Sequence, residues 1–141
     1  EPYRRQRQMC IRDRLDIVRN AREQGMESIT VLTNGTRCSD KVLARLAGNV
    51  DVISVSFDGA SPESAAFIRG KQLFEVLVDT VKRIQTAGIQ THMLPTLHAR
   101  NIQDVPAYIE LSKQLGCTVG FSLLSELELF ADPKNGALEN K

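Results

Sequence analysis

Residues 52–70 read VISVSFDGASPESAAFIRG, and the architecture turns on this stretch. Val52 to Phe57 is a short, mostly apolar run rich in β-branched residues, the signature of a strand. It ends in Ser56-Phe57-Asp58-Gly59, and an Arg69-Gly70 pair follows a turn or two later. A buried strand that finishes in a serine and an aspartate, with an arginine returning nearby, asks for an explanation beyond packing.

Outward from that strand the chain alternates two kinds of element. Upstream, LDIVRNAREQG predicts a helix from Leu15 with Gly25 as its stop, and SITVLTNG predicts a strand over Ser28–Thr33 with Asn34-Gly35 as the turn. SDKVLARLAG predicts a helix capped by Ser39, whose hydroxyl accepts a free first-turn N–H. The strand itself spans Asp51–Phe57. Downstream, LFEVLVDTVKRIQTAG predicts a helix closing at Gly88, and IQTHMLPTL a strand over Ile89–Leu97. Pro95 cannot donate to a ladder, so a bulge or an edge is expected there. IQDVPAYIELSKQLG predicts a helix beginning near Asp104 with Pro106 in its first turn, and CTVGFSLL a strand over Cys117–Leu124. The order is αβαβαβαβ, which implies parallel strands joined by right-handed crossovers. The strands are apolar enough to be covered on both faces. Periodicity does not separate an open doubly wound sheet from part of a barrel.

The chain has 141 residues, 42% hydrophobic and 25% charged, with net charge +1. That suits one globular domain and gives no reason to expect nucleic acid. No apolar run nears the ~20 residues that cross a membrane. Residues 1–14, EPYRRQRQMCIRDR, are arginine-rich and lack periodicity. They read as translated sequencing-adaptor sequence or a disordered basic arm, outside the fold. Residues 15–124 then form the core and 125–141 a tail or the start of a further extension. Cys10, Cys38 and Cys117 make no disulfide framework and no C-x-x-C signature, so a reducing cytoplasm is expected.

In parallel α/β architectures ligands sit at the carboxyl ends of strands. Three predicted strands end in polar groups: Thr33-Asn34-Gly35, Ser56-Phe57-Asp58-Gly59, and Thr96 with His98 and Asn101. Each also has a bland reading as turn chemistry. Together they predict a polar rim.

From Leu15 to Leu124, the succession ITVLTNGT, DVISVSFDGASPESAAFIRG, FEVLVDTVKRIQTAGI and THMLPTLHARNIQDVPAYIELSKQLG resembles the radical S-adenosylmethionine enzymes. The nearest group by resemblance is the peptide- and protein-modifying maturases with a C-terminal iron–sulfur extension. The resemblance implies a partial (β/α)6 TIM-like barrel in which the four strands here are the third to sixth, the first two being absent. It implies S-adenosylmethionine and a [4Fe–4S] cluster as cofactors, the cluster held by a C-x-x-x-C-x-x-C loop that this sequence lacks. Glu1-Pro2 could be the remnant of an upstream Glu-Pro motif. By the same resemblance Ser56 hydrogen-bonds S-adenosylmethionine, Arg69 forks onto its carboxylate, Asn34 lies beside them, Asp58 fixes the turn or meets polar ligand atoms, and Leu123 and Leu124 meet the adenine. A guanidinium suits a carboxylate because its planar fork pairs both oxygens. His92 and His98 read as incidental.

The implied partners are S-adenosylmethionine, a peptide or protein substrate, and an electron donor such as flavodoxin or ferredoxin, with no nucleic acid and no membrane. The parent enzyme is expected to be catalytic, and this chain alone inactive and prone to aggregate through the edge of its leading strand. Two other readings stay open: an unrelated parallel α/β enzyme with Asp58 as acid or base, and a non-catalytic binding module or scaffold.

Overall fold

The computed structural model describes residues 14–66, 71–99 and 101–123. Helix α1 occupies residues 14–23 and buries Leu15 and Val18. It is followed by β1 (Thr30–Thr33), α2 (Asp40–Leu46), β2 (Val52–Phe57), α3 (Pro62–Ala66), α4 (Lys71–Thr86) and β3 (Gln90–Leu97). A 3-10 turn at Ile102–Asp104 then leads into α5 (Val105–Leu115), and β4 (Thr118–Val119) and β5 (Ser122–Leu123) complete the described elements.

The local rules hold where they were strongest. Ser39 caps α2, its Oγ accepting the Val42 N–H at 3.4 Å. Gly116 ends α5 in the left-handed region at φ 64°, and its N–H donates to Lys113 O. Helix α3 was not expected. Its signal was present in Ser61-Pro62-Glu63-Ser64: Ser64 N–H donates to Ser61 Oγ at 3.2 Å, and Ser61 N–H donates to Ser64 Oγ at 3.0 Å. This is a reciprocal cap with proline at the first helical position.

All strand pairs are parallel and follow sequence order, β1-β2-β3-β4, with β5 also on β3. Residues two apart share a face. On one face Ile53, Val55, Phe57, Met93 and Leu97 join Leu43 and Leu46 of α2, Leu77, Val81 and Ile84 of α4, and Tyr108 and Leu111 of α5 in a single core. None of Leu32, Ser54, Ser56, His92, Leu94 and Thr96 on the other face belongs to it, and Leu32 is 58% exposed. The expectation that both faces are covered therefore fails among the described residues. Consecutive parallel strands with helices on one face alone form the wall of a barrel. A doubly wound sheet would carry helices on both. The α/β class and the partial TIM-like barrel stand.

Pro95 gives neither a bulge nor an edge, because β3 is central and Pro95 keeps register with Phe57. The disruption falls on the neighbour. The expected fourth strand is split into β4 and β5 at Gly120-Phe121. Gly120 N–H donates to Met93 O at 3.0 Å, so Met93 and, two residues on, Pro95 both turn their backbone toward that strand. The missing proline N–H is opposite the break. At the amino end of the sheet, Asp51 accepts the Ile29 N–H at 2.7 Å and pairs with Arg22 of α1.

A candidate cofactor wall at the carboxyl ends of the strands

The loop after β1 is tightly specified. Thr33 Oγ1 accepts the Gly35 N–H at 3.1 Å, and the buried Thr80 hydroxyl of α4 donates to Gly35 O at 2.9 Å. Gly35 takes φ +73°, and a Cβ there would lie 2.6 Å from Leu77 Cδ2. Only glycine fits this corner. It presents Asn34 at the rim, exposed, with Oδ1 accepting the Thr36 N–H at 3.3 Å and the Thr36 hydroxyl at 3.0 Å. The Asn34 side chain is thus engaged in its own turn.

Thr33 pairs with Val55, so Asn34 lies one step beyond and level with Ser56. Ser56 in turn pairs with Leu94, and Thr96 pairs with Ser122. The structure therefore brings Ser56, Leu94 and Thr96 to one face and one end of the sheet, with Asn34 in the turn just past β1 at the same end. Ser56 is half-buried, and no described residue hydrogen-bonds its hydroxyl. Asp58 follows β2, half-buried at the rim.

Leu123 pairs with Leu97, a residue of the core face, and is 74% exposed. Its register places it on the opposite side of the sheet from Ser56. Arg69 and Leu124 lie outside the described residues, as do residues 1–13 and the tail.

The β3–α5 loop is held by Asn101, which is 6% exposed. Its Nδ2 donates to Thr96 O at 2.9 Å and its Oδ1 accepts the His98 N–H at 2.8 Å. The asparagine expected on the rim is thus a backbone clamp that shapes it. Tyr108 of α5 is fully buried, packed edge-on against Phe121 with centroids 6.2 Å apart. Its hydroxyl has no hydrogen-bond partner among the described residues. Burial, then the charges of Asp104 and Asp58, push its pKa up to about 12. The Asn101 amide comes near the hydroxyl without an aligned hydrogen bond and offsets part of that shift. A cleft of about 700 Å³ lies on the helix side, between the loop after β1 and α4, lined by Arg37, Cys38, Glu75, Asp79 and Thr80 among others. It is separate from the Ser56 face.

The described residues do not fit an iron–sulfur cluster. Cys38 is buried with Sγ 3.9 Å from Thr33 Oγ1, and burial pushes the Cys117 thiol up, away from the thiolate that clusters require. No group of three or more His, Cys, Asp or Glu among the described residues could hold a metal ion. No helix among them is long and apolar enough to cross a membrane.

Comparison with known proteins gives the family. The family model for the Radical SAM superfamily matches residues 7–112, and the chain belongs to that superfamily. Among curated proteins it is similar to a probable GTP 3′,8-cyclase of Saccharolobus islandicus, 29% identical over 106 residues, which are 74% of this chain and 34% of that protein. It is similar also to the AdoMet-dependent heme synthase of Methanosarcina barkeri, 29% identical over 74% of this chain and 30% of that protein. The chain therefore spans about a third of the length of the relatives it matches. The enzymes of this family use S-adenosylmethionine and a [4Fe–4S] cluster, as the sequence resemblance implied.

Proposed function

We propose that this chain forms the S-adenosylmethionine-binding wall of a radical S-adenosylmethionine enzyme, with the cluster held by residues elsewhere in the protein. The observation that carries the reading is Ser56 near the carboxyl end of β2, on the face the helices leave open, with Asn34 in the turn at the same end of the neighbouring parallel strand. The cluster, when bound, supplies the reducing electron. The residues here bind, orient and enclose S-adenosylmethionine.

In this reading Ser56 Oγ hydrogen-bonds S-adenosylmethionine, Asn34 bounds the site at the neighbouring corner, and Asp58 meets its polar atoms or fixes the turn. Arg69 pairs with its carboxylate, while Leu123, whose register puts it on the side of the sheet away from Ser56, is left out of the site. The electron donor is a flavodoxin or ferredoxin, and the compartment is the cytoplasm. A peptide substrate, suggested by the sequence resemblance, has no counterpart among the relatives' names. Those names favour a small molecule, GTP and heme being the chemistry they print.

Ser56→Ala is expected to weaken S-adenosylmethionine binding by about 3- to 10-fold, the net value of one hydrogen bond, with the fold unchanged. Calorimetric titration on the full protein measures it, and binding as tight as wild type would remove Ser56 from the site.

A further inference from the structure

The sequence alone gives His92 no role, and its surroundings in the fold supply one. It lies on the open face of β3, with Ser54 and Thr118 as its register partners on either side. Its Nδ1 is 2.8 Å from Thr118 Oγ1, which fixes the ring. The ring leans toward the carboxyl rim. A Cβ added to Gly120 would lie 2.8 Å from His92 Nε2 and 3.1 Å from Cε1. Gly120 is two residues past Thr118, hence on the same face and one step nearer the rim. The imidazole fills the space that a side chain at 120 would take. Nε2 is thereby raised toward the level of Leu94, whose register partner is Ser56. No described residue hydrogen-bonds Nε2, nor the hydroxyls of Ser54 and Ser56.

The strand residues on this face include no Lys, Arg, Asp or Glu, from Thr30 through Ser54, His92 and Thr96 to Ser122. A wall whose polar groups near the rim are hydroxyls and one imidazole, set among Leu32, Val52 and Leu94, does not suit a phosphate or carboxylate, which calls for Arg or Lys. It suits an uncharged, hydroxyl-bearing group.

We propose that His92 is a ligand-contacting residue whose Nε2 hydrogen-bonds a sugar hydroxyl of S-adenosylmethionine held against the open face, with Thr118 as the positioning residue for its ring and Gly120 as the space it needs. This rests on the cofactor-binding reading above.

The test is long-range ¹H–¹⁵N correlation of the histidine rings, with the Ser56 amide as an independent reporter, on the full protein titrated with S-adenosylmethionine. Both the His92 Nε2 and Ser56 signals are expected to shift with one dissociation constant. His92→Ala is expected to weaken binding about 3- to 10-fold, and His92→Gln, which keeps a hydrogen-bonding end, to recover most of it. A Ser56 shift without a His92 shift overturns this inference and leaves the cofactor reading intact. No shift at either overturns both. Shifts at both with unchanged affinity in His92→Ala also overturn it. The wild-type spectrum decides the matter even if a variant fails to fold.

Discussion

The Tyr108 hydroxyl is a donor and acceptor enclosed by the core with no aligned hydrogen bond among the described residues. Leaving such a group unsatisfied costs about 1–3 kcal/mol. Tyr108→Phe is therefore expected to be as stable as wild type or more so at pH 7, by urea denaturation. The alkaline limb gives a second readout. The folded pKa of about 12 exceeds the ordinary value of 10.0, so the neutral phenol stabilises the fold fully below pH 10. That contribution is lost as pH rises toward 12, because the unfolded chain releases its proton first. The Phe variant should lack this part of the alkaline loss. An identical alkaline limb in both proteins would mean that the phenol is not held in this way.

At the scale of elements, the sheet is anchored at its amino end and opened at its carboxyl end. Asp51, just before β2, accepts the Ile29 N–H ahead of β1 and pairs with Arg22 of α1, which also donates to Met26 O and Glu27 O. One carboxylate thus ties a helix, the entry to β1 and the entry to β2. The Ile29 N–H first, then Arg22, hold its pKa below the ordinary carboxylate value of 3.8. A depressed folded pKa contributes stability above the unfolded value and loses it as pH falls through the folded one. Asp51→Asn should therefore lower stability at neutral pH and flatten its decline below about pH 4. Unfolding followed at several acidic pH values checks this, and an unchanged acid limb would show that the cluster contributes little. Between helices, Arg83 of α4 pairs with Asp40 of α2 at 2.7 Å, and Gln85 Nε2 donates to Leu115 O at 2.8 Å at the end of α5. These contacts set the helices side by side on one face.

For the whole molecule the governing feature is that asymmetry of faces. Burial concentrates in β2 and β3, where Val55 and Met93 are fully enclosed, while β1 exposes Leu32 and β5 exposes Leu123. Amides of β2 and β3 should exchange slowest with solvent and those of β1 and β5 markedly faster, since local opening follows the density of buried apolar contacts. Exchange measured by mass spectrometry tests it. Uniform protection across the strands would mean that β1 and β5 are covered in the protein as it exists.

The sequence by itself determined the alternation of helix and strand, the parallel sense of the sheet, the Ser39 cap and the glycine stops. These depend on periodicity and on which residues tolerate a cap or a positive φ, properties local to a few neighbours. It also carried the family, through the order of T-N-G, S-x-D-G and the later asparagine. Tertiary structure decided the rest. Which face stays open depends on where the helices pack, and Val52–Phe57 reads much the same in a barrel wall as in a doubly wound sheet. The effect of Pro95 passed to the neighbouring strand because a missing donor is felt by its acceptor's chain. Asn101 became a clamp through Thr96 and His98, three to five positions away, once the loop after β3 folded back on itself. His92 gained a fixed ring beside Gly120 because residues 20 or more positions apart in the chain meet only after the strands take their register.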